Sequence, residues 1–314
     1  MIVRDRPNGL RLFLTMRGSV LPSIWKSVTI TTLLAVIVTL THGQLWDHKI
    51  KLTIIPFTLM GLPLAIFLGF RNNSAYDRYW EGRKLWGELV LRSRNFARQC
   101  LSLIDDAGTA GATIADAAVL RERMIRRTIA FAHALRHLLR RSDPAADVAP
   151  HLQPAEWAAL RARPNLAQAL MLEMGMDLAH CRRAGMLDSV RAATLDATLS
   201  AMVATAASCE RIKNTPVPFS YTLLLHRTAY MYCFMLPFGL VDSIGYLTPL
   251  VVAIVAYTFH GLDALGDEIE EPFGLSPNDL PLDAICRAIE IDMRDALGDA
   301  ELPSPLLPVN YQLR

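Results

Sequence analysis

Residues 52–70, LTIIPFTLMGLPLAIFLGF, carry no charge and are closed by Lys51 on one side and Arg71 on the other. As a helix rising 1.5 Å per residue, a stretch of this length reaches about 30 Å, the thickness of a bilayer's hydrocarbon core. The chain then turns polar, RNNSAYDRYWEGRKLWGEL, with no proline to stop the helix. A membrane-crossing helix that continues into water is therefore expected. One face of it changes character along its length, as the wall of a conduit would.

The remainder fits a membrane part joined to a sizeable soluble part: 52% of the 314 residues are hydrophobic, yet 20% are charged. A net charge of +2 gives no argument for nucleic acid as a partner. Cys100, Cys181, Cys209, Cys233 and Cys286 are scattered, with no CxxC and no Cys/His ligand spacing, so they read as reduced and structural, and no metal or cofactor is expected. The first residues, MIVRDRPNGLRLFLTMRGS, have a broken apolar run and no small-residue cleavage site, so the first span should act as an uncleaved insertion signal.

Four uncharged or nearly uncharged stretches can cross a bilayer: 27–46, 52–70, 216–241 (interrupted by His226 and Arg227) and 243–262. DHKIK joins the first two and little more than Asp242 joins the last two, so each pair forms a hairpin. Between them, 71–215 is rich in Arg, Ala and Leu at helical spacing, as in RERMIRRTIAFAHALRHLLRR, with breaks only near Asp105, Pro144 and Pro164. The expected class is an all-α membrane protein with two transmembrane hairpins, 27–70 and 216–262. The expected cytosolic parts are an N-terminal segment 1–26, a helical domain 71–215 and a C-terminal segment 263–314. Arg4, Arg6, Arg11, Arg17 and Lys26 precede the first span, and Arg71, Arg78, Arg83 and Lys84 follow the second. The positive-inside rule then puts both termini and the central domain in the cytoplasm. Residues 302–314, with their prolines, read as an extended strap.

At 100° per residue, Leu62, Ile66 and Phe70 share one stripe, which continues through Asn73 and Asp77. Around a common axis the stripe would make three apolar rings, able to gate by dewetting, and then an acidic vestibule. Ordinary helix packing produces the same spacing, and spacing alone leaves both readings open. Gly61 and Gly69 would let neighbouring helices approach closely. Tyr79, Trp80 and Trp86 read as packing residues, and Arg227 as an interfacial, snorkelling arginine. The basic face of residues 121–141 reads as a charged inter-helix surface rather than a lipid-binding scaffold. An enzyme or carrier would need ionisable groups gathered near the midplane, or a GxSxG, HExxH or P-loop motif, and the sequence has none of these.

Three longer motifs, LPLAIFLGFRNNSAYDRYWEGRKLWGEL, CERIKNTPVPFSYTLLLHRTAYMYC and DEIEEPFGLSPNDLPLDAICRAIE, together resemble the bacterial branch of the bestrophin family. The resemblance implies a homopentameric ion channel, embedded in the bacterial inner membrane as a multi-pass protein, that passes small monovalent ions down their gradient. Its partners are further copies of itself and the lipid bilayer. The implied neck falls on Leu62, Ile66 and Phe70, the stripe already found by spacing. GMLDSVRAATLD resembles the region of a second, cytosolic aperture and places it at Val190. Bacterial relatives are similar to cation-conducting channels, and animal and plant ones look like chloride channels. The chain departs from the animal pattern in having one aromatic neck residue, Phe70, and in LSPND, where Asp279 stays acidic and Ser276 replaces a ligand aspartate. Calcium needs six to eight oxygens, so calcium dependence of the animal type is not expected. Five copies of Asp77 facing the lumen would favour cations slightly; an anion-selective channel of the same architecture is the alternative.

Overall fold

The computed structural model describes residues 1–4, 9, 15–45, 48–49, 52–106 and 113–314. In chain order the helices are α1 (Leu21–Leu40), α2 (Ile54–Leu103), α3 (Ile114–Arg140), α4 (Ala145–Val148), α5 (Pro154–Leu160), α6 (Leu166–Arg183), α7 (Ser189–Asn214), α8 (Phe219–Ile244), α9 (Thr248–Glu270) and α10 (Leu282–Leu297). The only ladder among the described residues is the antiparallel pair β1 (Gln44–Leu45) and β2 (His48–Lys49), inside the connector between α1 and α2. The helical class expected from the sequence holds.

Two compact units emerge: Arg4–Trp80 with Pro216–Pro272, and Met1–Val3 with Glu81–Thr215 and Phe273–Arg314. The apolar unit thus extends beyond the sequence-derived limits at 70 and 262. The reason is electrostatic: Arg71 on α2 and the acidic face of α9 tie the first polar turns of both helices into it.

In the apolar unit, α1 starts with Pro22 in its first turn, where the missing N–H costs nothing. It ends where His42 and Gly43 take φ of 49° and 73°. The first span therefore lies about six residues ahead of the expected 27–46. α2 runs for 50 residues without interruption, Pro63 included, as the unbroken polar continuation implied. Gly245, at φ +51°, ends α8, so Asp242 sits in the last turn of that helix and not in a connector. Apolar side chains hold the unit together: Ala35, Phe57, Leu236, Leu240 and Val252 form one cluster, and Leu64, Leu68, Leu225 and Ala229 another.

The second unit is built around α3. From Met124 to Arg136 nearly every side chain is buried, the mark of a helix enclosed on all sides by neighbours, here α6 and α10. Thr113 and Asp116 close a reciprocal capping box at its start. The basic residues of α3 are spent on other helices and turns: Arg127 reaches Glu156 at 2.6 Å and Asp177 at 2.5 Å, and Arg140 reaches Asp283 at 2.7 Å. By length and composition α7 could cross a bilayer, as could α1, α2 and the run from α8 through α9. The apolar character of α7 comes from alanine, threonine and leucine, and it packs on α6 and α3. Residues 302–308 form neither helix nor strand, and residues 311–313 pair with the first three: Val3 N–H donates to Tyr311 at 2.8 Å, and Leu313 N–H to Met1 at 2.9 Å.

Candidate pore-lining site

On α2, as far as Trp80, the buried positions are Phe57, Leu64, Leu68, Arg71 and Ala75, separated by seven, four, three and four residues. That spacing is a single stripe on one side of the helix. Leu62, Ile66 and Phe70 lie about 180° away from it at 100° per residue. They are 67%, 47% and 58% exposed. Asn73 and Asp77 are exposed further along the helix. So one protomer leaves the whole predicted stripe uncovered, and packing within the chain does not explain it. Phe67 meets Phe70 edge to face, with ring centroids 6.4 Å apart, which restrains the Phe70 ring.

The opposite face is anchored tightly. A Cβ on Gly61 would lie 2.9 Å from the Tyr232 hydroxyl, so only glycine admits α8 this closely. Gly69, expected to serve the same purpose, meets open space within its own chain because it lies on the exposed side. Arg71, fully buried, pairs with Asp263 at 2.7 Å and with Asp267, and Glu270 lies 3.7 Å away. His226 Nδ1 stands 2.6 Å from the second oxygen of Asp263. Arg227, its neighbour, is exposed, in keeping with a residue reaching toward an interface. Glu270 also accepts the Val217 N–H at 2.9 Å, which fixes the entry to α8.

Sequence reasoning missed this cluster, although a signal was there. Asp263, Asp267 and Glu270 recur at i, i+4, i+7 on α9, and Arg71 and Arg78 recur at i, i+7 on α2. Two helices carrying matched stripes of opposite charge at the same ends of their apolar segments are natural partners. Arg78 does donate to the Glu270 carbonyl, at 3.1 Å.

Val190, in the other unit, is 78% exposed in the first turn of α7. Asp188 caps that turn, accepting the backbone N–H groups of Val190 at 2.8 Å and Arg191 at 3.0 Å. The Arg191 N–H, then the Val190 N–H, holds the Asp188 carboxyl below the usual carboxylate range. Of the aromatic residues past the stripe, Trp86 is fully buried and Trp80 is 49% exposed, so only the first is spent on packing within the chain. The Asp279 carboxylate accepts the Ser276 N–H at 2.7 Å, closing a turn with the serine that stands at the departure from the animal pattern. All five cysteines are free and buried. Burial pushes Cys181 up to about 11 and Cys209 and Cys286 up to about 12, so none is poised to react.

Residues 1–295 match the family described as Bacterial/Fungal Bestrophin protein. A voltage-dependent anion channel-forming protein of Mesorhizobium japonicum is 46% identical over 98% of this chain and 95% of its own length. The Escherichia coli K12 protein YneE, which carries the same description, is 42% identical over the full length of both. Among solved structures, a bacterial bestrophin homologue from Klebsiella pneumoniae superposes with a TM-score of 0.82 at 34% identity, covering 88% of this chain and all of that one. With four apolar crossings, an unbroken second helix and these likenesses along its length, the chain belongs to the bestrophin family, in its bacterial and fungal branch, and is a membrane ion channel rather than an enzyme.

Proposed function

We propose that five copies assemble about an axis lined by α2, and that small monovalent ions pass between them through a neck of Leu62, Ile66 and Phe70. The observation that carries this reading is the exposure of all three on the face opposite the one the protomer buries. An apolar stripe at the end of a spanning helix is covered by lipid, by a neighbour or by a lumen. Its continuation into Asn73 and Asp77 favours the lumen, because the polar end then lines a wet mouth. Val190, isolated on a capped helix start, supports a second ring of apolar side chains. The basic flanks support a bacterial inner-membrane location with both termini and the regions 71–215 and 263–314 on the cytoplasmic side. α7 then belongs to the cytosolic part, because Arg191, Asp196 and Glu210 lie along it.

Ion choice is a separate matter, because apolar rings do not discriminate by charge. A ring of five Asp77 carboxylates makes the mouth negative and favours cations. A specific observation favours the second reading, an anion channel: relatives 46% and 42% identical to this chain are described as forming anion channels. Reversal potentials in asymmetric sodium chloride across a planar bilayer separate the two by sign. Neutralising the mouth with Asp77→Asn should move a cation-selective potential toward zero and leave an anion-selective one where it is or make it larger.

Conductance tests the neck itself. Ile66→Ala should widen the constriction and raise single-channel conductance several-fold, and Ile66→Phe should lower it. Equal currents from wild type and both variants would remove Ile66 from the ion path.

A further inference from the structure

His133 of α3 is 5% exposed, and neither of its ring nitrogens has a hydrogen-bond partner. An imidazole buried with both nitrogens unsatisfied forfeits the hydrogen bonds it would make in water, a cost of about 1–3 kcal/mol for each orphaned group. Such a residue is kept for something it binds or is a defect. Its surroundings favour the first. The His151 ring stacks nearly parallel to it at a centroid distance of 5.8 Å, and the Glu290 carboxylate, on α10, stands 4.0 Å from His133 Nε2. One donor atom from each of the three lies within 4.8 Å of the others. A cavity of about 330 Å³ borders all three and gives a ligand a way in.

The geometry points to a divalent transition-metal site, of the zinc type, formed by His133, His151 and Glu290. Two neutral imidazoles, one carboxylate and a water make a four-coordinate set that zinc accepts readily. Bonds of about 2.0–2.1 Å place tetrahedral donors about 3.3 Å apart, so donors now up to 4.8 Å apart must close by up to about 1.5 Å. His151, half-buried on the short turn after α4, is the ligand that would have to shift most. Arg287 and Arg294, 3.1 and 3.5 Å from the two oxygens of Glu290, would hold the carboxylate in place behind the metal.

The same cavity is bordered by arginines, which would suit an anion instead. Those arginines are already answered: Arg126 by Glu122 at 2.7 Å and Asp299 at 3.2 Å, Arg287 by Glu290 at 3.1 Å, and Arg294 by Asp299 at 2.8 Å. Neither ring nitrogen of His133 has a hydrogen-bond partner among the described residues. This asymmetry favours a cation ligand, and it stands apart from the ion-conducting reading, since no neck or aperture residue takes part.

The test uses the full-length protein in detergent, stripped with a chelator and then equilibrated with zinc sulfate at about 10 µM. Wild type should retain about one zinc per chain by atomic emission and should melt several degrees higher with zinc than without it. His151→Ala and Glu290→Gln should each lose that zinc and that rise, whereas His180→Ala, which changes a histidine elsewhere, should keep both. Cobalt added in place of zinc should give the visible absorption bands of a four-coordinate site in wild type only. His133→Ala empties a core position, so its loss of zinc counts only if it remains folded; the half-buried His151 carries the test otherwise. Unchanged uptake in both His151→Ala and Glu290→Gln, or no uptake by wild type, overturns the proposal. So does stabilisation by inorganic phosphate with no effect of metal, which would make the cavity an anion pocket.

Discussion

Arg71 marks the point where the apolar run of α2 ends, and it is the residue on which the apolar unit leans hardest. A guanidinium with no exposed surface is tolerated because Asp263 and Asp267 face it and Glu270 stands behind them. Arg71→Met removes one side of that balance and leaves Asp263, itself 3% exposed, buried without its main counter-charge. The expected loss is about 3–5 kcal/mol, read as a large fall in melting temperature in detergent. Pairing it with Asp263→Leu should recover a substantial part, since replacing both charges costs less than stranding one. If the double variant is no more stable than the single, the pair does not act as a unit. None of this pairing was visible from either segment alone. The partners are 192 residues apart, and each charge adjoins an uncharged run where it reads naturally as a flank. Separation in sequence also hid His133, His151 and Glu290, the last of them far down the chain on α10, and the three share no short motif. Leu62, Ile66 and Phe70 were legible because a stripe on one helix needs only the helix's own period.

For whole elements, how closely two helices approach is decided by single atoms. α2 and α8 meet where Gly61 faces the Tyr232 hydroxyl, and the added methyl of Gly61→Ala would press on that oxygen first and only then on the ring, 3.4 Å away. Gly61→Ala should therefore destabilise by about 1–2 kcal/mol, and Tyr232→Phe in the same chain should relieve most of it. Thermal unfolding of the four proteins in the double-mutant cycle checks this; additive losses would mean that the ring, not its oxygen, sets the distance. At the start of α7, Asp188→Ala should remove the cap under Val190 and fray the first turn, with Val190 amide exchange rising several-fold. Acid should mimic the substitution. The folded carboxyl titrates below its unfolded value, so its contribution is present above the ordinary carboxylate range and is lost as pH falls through the folded value. Helix existence was readable for these elements, but their ends were not. α1 stops at Leu40 because the two residues after Thr41 turn left-handed, a choice of backbone that the run TLTHGQLW does not advertise.

For the molecule as a whole, the two units divide the chemistry of the chain. The apolar unit carries long exposed apolar faces on helices long enough to cross a bilayer, and the other closes its own core around α3. Five buried thiols fit a chain folded in a reducing compartment. In the native state they should resist maleimide for hours, and all five should react once the protein is unfolded in denaturant. Rapid labelling of any one of them under native conditions would show an opening that the packed structure does not have. The unbroken second helix and the absence of helix from residues 302–308 were each written locally, in run lengths and prolines. The setting of α7 was not, because alanine and threonine are mild enough for membrane or water.

The pairing of residues 1–3 with 311–313 brings the two ends of the folded chain side by side, with the Met1 amino group donating to the Leu313 carbonyl at 2.6 Å. Dyes placed at the two extremities would report on each other by energy transfer. A fluorescent protein fused to one would crowd anything fused to the other. A bridge of a few glycines would suffice to make the backbone a closed ring, with new openings cut in a surface loop elsewhere.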